Sequence, residues 1–151
     1  MKSRFSHPFK EANHHASRTT HLMKRQLTIT PDPIEEAALL SQRSMSAGMG
    51  AIVYFLGVVR DTEENAMISA IDYEAFGRMA EHQFNLLFDQ MEKRWPIESV
   101  RLVHRIGVVK VNEPSLLVEV VAPHRGEAFA ACQWLIDEMK RVVPIWKKAI
   151  V

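Results

Sequence analysis

Lys140 and Lys147 stand seven positions apart on either side of Pro144, in the run Ile136-Asp137-Glu138-Met139-Lys140-Arg141-Val142-Val143-Pro144-Ile145-Trp146-Lys147-Lys148. At about 100° per residue, Lys140 falls within roughly 60 to 80° of Phe129, Cys132 and Ile136 on the helix that Pro144 must end. Its stem is therefore expected on the apolar stripe. Desolvation and neighbouring cations disfavour an ammonium ion, which makes an amine so placed a usable nucleophile or proton carrier near neutral pH. A plainer reading stays open for each lysine. Lys140 could snorkel from a helix end while complementing its dipole, and Lys147 and Lys148 could be charges that keep a terminal strand from pairing with another chain.

Pro123-His124-Arg125-Gly126 lies where an apolar run hands over to a helix pattern. Helix amides and the positive dipole end would there face the same space as two cationic or hydrogen-bonding side chains, which makes an anion site. Arg125 can grip a phosphate with two parallel bonds, and His124 can donate one bond or shuttle a proton. Alternatively His124 caps the helix and Arg125 is solvated. Arg60 follows another apolar run and could meet a phosphate with help from the Val58 and Val59 amides, or be a simple surface arginine.

Other reactive side chains read as structural. Cys132 falls inside the apolar arc of its helix with no cation expected beside it, which suits a small buried hydrophobe. Trp134 projects away from Phe129 and Ile136, so it is expected to face outward. An outward tryptophan suggests a covering surface such as a second copy, with simple exposure as the alternative.

The 151 residues suffice for one domain with a core. Residues 1–25 hold six cations against Glu11, a net +5 that leaves −4 on the remainder of a chain of formal charge +1. A mildly acidic body argues against nucleic-acid binding. There is no apolar run of membrane-spanning length and no secretory leader pattern. One cysteine forms no internal disulfide, so a cytoplasmic setting is expected. His7, His14, His15 and His21 lack companion ligands at regular spacing, so neither a metal nor a cofactor is expected. Residues 1–25 read as a flexible extension and 26–151 as the domain.

The elements that must position these groups follow from periodicity. A strand over Gln26–Thr30 leads through Pro31-Asp32-Pro33 into a helix to about Met45. Gly50 to Val59 reads as a buried strand stopped by Arg60-Asp61. Met67 to Ala75 is the next strand. After Gly77, Phe84, Leu87, Phe88, Met91 and Trp95 mark a helix ending at Pro96. Val100–Val109 and Ser115–Ala122 read as strands joined near Asn112-Glu113-Pro114, followed by a helix over about Arg125–Val142 and a strand over Ile145–Ile150 with Lys147 facing opposite to Trp146 and Lys148. This is an α+β pattern with a mixed or antiparallel sheet.

Several runs recur together in a known order: Gly50-Ala-Ile-Val-Tyr-Phe-Leu-Gly57 then Arg60; Tyr73-Glu74 then Met79; His104-Arg105-Ile106-Gly107; His124-Arg125 then Ala128-Phe129; and Asp137, Lys140 and Pro144-Ile145-Trp146-Lys147-Lys148. In these the chain closely resembles the large, catalytic subunit of molybdopterin synthase, over about Leu27 to Lys148. The resemblance implies an α/β hammerhead domain with an added small antiparallel sheet, dimerised through this subunit, with a small ubiquitin-like subunit at each end. It implies a sulfurtransferase that converts cyclic pyranopterin monophosphate into molybdopterin with sulfur from a C-terminal thiocarboxylate on the small subunit. It further implies Lys140 and Lys147 as the catalytic pair, and Val58, Val59, Arg60, His124 and Arg125 as the substrate's anion pocket, flanked by Lys148, all in a single electropositive hollow. The family usually carries glutamate after the lysine pair and a longer tail, where this chain has Ala149-Ile150-Val151. Asn112 stands where glycine is common. A subunit that binds the pterin phosphate or the ubiquitin-like tail without turnover is the alternative.

Overall fold

The computed structural model describes residues 22–151. In chain order the elements are β1 (Lys24–Thr30), α1 (Glu36–Ser41), β2 (Ala51–Val58), β3 (Thr62–Glu63), β4 (Ala66–Met67), β5 (Ala70–Ala75), α2 (Gly77–Arg94), β6 (Ser99–Arg105), β7 (Gly107–Lys110), β8 (Pro114–Ala122), α3 (Arg125–Val142) and β9 (Ile145–Ile150). A four-stranded sheet runs β1-β6-β8-β2, with β1 parallel to β6 and the other pairs antiparallel. A three-stranded antiparallel sheet runs β7-β5-β9. The α+β expectation, with its small additional sheet, holds.

β8 is buried from Ser115 to Ala122, as an apolar strand covered on both faces must be. On one face of its sheet, Phe84, Leu87, Phe88 and Met91 of α2 and Ala131, Cys132, Leu135, Ile136 and Met139 of α3 pack on Val100, Leu102, Val118 and Val120. Fully burying a side chain such as Phe84 or Leu135 stabilises by about 1.5–3 kcal/mol. Neither long helix has a side-chain cap bond, so this packing holds them. On the other face Ile34 and Leu39 cover Val103, Leu117 and Leu56. A second small core of Val59, Ile68, Ile71 and Val109 underlies the three-stranded sheet.

Several expected boundaries change. The expected Val100–Val109 strand is two strands in two sheets, because Gly107 adopts φ +80° and passes the chain from one to the other. The Met67–Ala75 strand also splits: the Ile68 amide turns back to the Asp61 carbonyl at 2.8 Å. The helix expected to reach Met45 stops at Ser41, and beyond it the Ser46 amide donates to the Glu98 carboxylate at 2.9 Å. The boundary expected at residue 25 falls inside β1, where Arg25 pairs with Asp89 at 2.8 Å and Glu92 at 2.9 Å. His7, His14, His15 and His21 lie outside the described residues.

On α3 the stripe is rotated from the expected one. Phe129 is 62% exposed, while Ala128 and Ala131 are fully buried. Small residues let the helix sit close to the sheet, and the bulky phenyl ring is turned out. Trp134 is covered within the chain, edge-on to Trp95 at 5.7 Å and beneath the Arg94 guanidinium at 4.8 Å. The outward tryptophan is thus partly covered within its own chain and stays partly exposed. Among the described residues no helix is long and apolar enough to cross a membrane.

Candidate functional site

A cleft of about 740 Å³ opens where the ends of β2, β6 and β8, the three-stranded sheet and the last turn of α3 meet. Its construction begins at the helix stop. Val143 leaves α3 in extended backbone, and the Pro144 carbonyl accepts a bond from the Phe76 amide at 3.2 Å. β9 then runs antiparallel to β5 with Lys147 opposite Tyr73. This reversal brings Lys140 and Lys147 to the same cleft, where Arg60 joins them. Lys140 is exposed there beside buried Met139, so its stem is less sheltered than the helical wheel implied. Strand alternation sends Lys148 elsewhere, opposite Asp72 and off the cleft wall.

The segment before Arg60 behaves differently from expectation. A β-bulge separates Gly57 from Val58, and Val58 remains partly exposed at the cleft. Val59 is buried, and its amide donates to the Glu113 carbonyl at 3.1 Å. That amide is already satisfied and cannot also hold a phosphate. Asn112 returns a bond to the Val59 carbonyl at 2.9 Å from a left-handed conformation, φ +70°, which asparagine tolerates better than most residues. The glycine expected at this position is thus replaced without loss of the turn.

Three cleft residues escaped assignment from sequence. Glu63 reaches Lys147 Nζ at 2.5 Å from the β3–β4 hairpin. Its hydrogen bond to Lys147 holds the carboxyl below its usual range. His104, buried at the end of β6, has Nδ1 2.7 Å from the Arg105 carbonyl oxygen. A carbonyl only accepts, so Nδ1 carries the proton and Nε2 presents a lone pair. Burial pushes the His104 pKa down, which keeps the ring neutral. Tyr73 stands edge-on to His104 at 5.3 Å, and its hydroxyl reaches the Ser115 hydroxyl at 3.5 Å. His104 and Tyr73 were visible as motif members without a role. Nothing local in Thr62-Glu63-Glu64-Asn65-Ala66 announces a cleft residue.

The His124–Arg125 corner lies elsewhere. With Gly50, Pro123 and Gly126 it lines a separate shallow recess at the start of α3. Gly50 is required there, because a Cβ would stand 2.7 Å from the Pro123 carbonyl oxygen. His124 does not cap the helix, and its Nδ1 is 3.8 Å from the Glu127 carboxylate. At 1.5 Å per residue, the sixteen residues to Lys140 place the two regions roughly 24 Å apart along α3. One chain therefore holds two electropositive regions instead of the single hollow expected. Cys132 is buried, and that burial pushes its thiol up to about 11, which suits neither a nucleophile nor a sulfur carrier at neutral pH.

Known proteins share this sequence pattern and fold. The family described as MoaE protein matches residues 29–142. A protein of Pyrococcus abyssi named molybdopterin synthase catalytic subunit is 41% identical over 117 residues, covering 78% of this chain and 77% of that protein. The crystal structure of molybdopterin synthase from Staphylococcus aureus superposes with a TM-score of 0.73 at 31% identity, covering 86% of this chain and 93% of that one. A complex of subunits 1 and 2 of molybdopterin-converting factor from Helicobacter pylori shares the fold, with a TM-score of 0.68 at 22% identity over 82% of this chain and 88% of that one.

Proposed function

Since this chain belongs to the MoaE protein family, we propose that it is the catalytic subunit of a molybdopterin synthase, a sulfurtransferase of molybdenum cofactor biosynthesis. It converts cyclic pyranopterin monophosphate to molybdopterin with sulfur from the C-terminal thiocarboxylate of a small ubiquitin-like subunit. The carrying observation is the convergence of Lys140 from α3, Lys147 from β9 and Arg60 from the loop after β2 on one cleft. Both reactants are anions, and three cations around a shared space attract them and offset their mutual repulsion. Lys140 is assigned the position nearest the thiocarboxylate carbonyl. Lys147 assists proton transfer to departing oxygen and stabilises charge as the sulfur is delivered.

His124 and Arg125 belong to the same chemistry through a second copy. They cannot reach their own chain's cleft across roughly 24 Å, whereas a two-fold dimer presents each surface patch to its counterpart. A homodimer core with one small subunit per cleft lets the start of one α3 face the cleft of the other chain, where Arg125 would grip the pterin's phosphate. Lys148 flanks the site from outside the cleft wall. A cytoplasmic setting belongs to this proposal.

The test is to mix the purified chain with thiocarboxylated small subunit and cyclic pyranopterin monophosphate, and assay the fluorescent oxidised derivative of molybdopterin. Product formation is expected. A stable complex that yields none would overturn the enzymatic assignment in favour of a binding subunit.

A further inference from the structure

A carboxylate inside a cleft built for anions calls for an explanation. Glu63 is the last paired residue of β3, opposite Ala66 of β4. The two turn residues between them, Glu64 at φ 47° and Asn65 at φ 65°, both adopt left-handed backbone, the geometry of a tight two-residue hairpin. The hairpin base is closed by the Ile68 amide on the Asp61 carbonyl at 2.8 Å, so the position of Glu63 is set by backbone pairing. Its side chain crosses to β9 and meets Lys147 Nζ at 2.5 Å, and Arg60 acts on the same carboxylate through its charge. The Glu63 side chain is only 20% exposed, whereas that of Lys147 is 54% exposed. The acid is thus the inner, fixed partner and the amine the one open to an arriving ligand.

We propose that Glu63 is a positioning residue that occupies the Lys147 ammonium as a stand-in for the carboxyl-type terminus of the small subunit. It holds the amine in place in the empty cleft, gives way to the arriving thiocarboxylate, and returns to help expel the spent carboxylate. The inference rests on the functional reading above. It follows from charge balance: one ammonium cannot pair fully with two carboxyl-type anions, so occupancy by Glu63 and by the tail are competitive. Because Lys147 is more than half exposed, the competition is modest and sensitive to salt. A modest competitor suits a residue that must yield in each catalytic cycle.

The experiment measures affinity of the full-length protein for small subunit ending in an ordinary glycine carboxylate, at low salt, for wild type, Glu63→Gln, Glu63→Asp, Lys147→Ala and the Glu63→Gln/Lys147→Ala double variant. Removing the competing charge in Glu63→Gln is expected to tighten binding about two- to fivefold, the range of an exposed ion pair. Glu63→Asp, which keeps the charge, is expected to stay near wild type. In the Lys147→Ala background Glu63→Gln should change nothing. Equal or weaker binding by Glu63→Gln, or a gain that persists without Lys147, overturns the proposal while leaving the sulfurtransferase reading intact. Failure of the wild type to bind either the carboxylate or the thiocarboxylate form of the small subunit overturns that reading, and this proposal with it.

Discussion

Arg101 on β6 and Glu119 on β8 face one another across the centre of the four-stranded sheet, with 2.6 Å between guanidinium nitrogen and carboxylate oxygen. Both side chains are 7% exposed, and the Arg101 guanidinium also donates to the Leu39 carbonyl in α1. The pair ties the short helix to the sheet face that the long helices do not cover. Breaking such a pair leaves a buried charge without its partner, so Arg101→Ala is expected to destabilise the fold by about 3–5 kcal/mol. Urea unfolding monitored by tryptophan fluorescence measures it, and a loss under about 1 kcal/mol would show the pair to be dispensable.

Lys140→Ala and Lys147→Ala are each expected to lower single-turnover product formation by about 10²-fold or more, the range for losing a positioned proton donor. Binding of the small subunit should change far less, because Arg60 remains in the cleft. Rapid-quench measurement separates chemistry from binding. Full activity in Lys140→Ala would refute its role.

Dimers formed from two defective chains test the separation along α3. If Arg125 serves the partner's cleft, Lys140→Ala and Arg125→Ala homodimers are both impaired, but a mixed dimer carries one intact site. Random exchange should then restore about a quarter of wild-type sites. If Arg125 acted on its own chain's cleft, mixing would restore nothing.

His104 predicts a pH dependence. Its folded pKa is depressed by burial from the ordinary 6.5, so the unfolded chain binds the proton more readily. The neutral ring's contribution is fully present above pH 6.5 and is lost as pH falls toward the folded value. Thermal unfolding from pH 7.5 to 5.5 should show the melting temperature falling on the acid side. His104→Asn should flatten that slope, and an unchanged slope would mean that other groups produce it.

Much of this architecture was legible in the residues. The α3 limits and the final strand followed from Pro144 and local periodicity, because a proline stop and strand alternation act within a few residues. The same logic placed Lys147 on the face opposite Lys148. The lysine pair and Arg60 were legible in short motifs, the closing run for both lysines and the run from Gly50 for Arg60.

Other relationships depended on contacts distant in sequence. Gly107 could not be recognised as a passage between sheets, because an isolated glycine gives no sign of its φ. The turned-out Phe129 and covered Trp134 depended on two alanines setting the distance between helix and sheet, which a helical wheel weights least. Glu63 met Lys147 only because a hairpin and a strand eighty-four residues later border the same cleft. Local chemistry in the sequence thus determined which groups were available and the elements carrying them. The tertiary structure decided which groups met, because packing and long-range pairing, set by the whole core, fix the distances on which electrostatics and proton transfer depend.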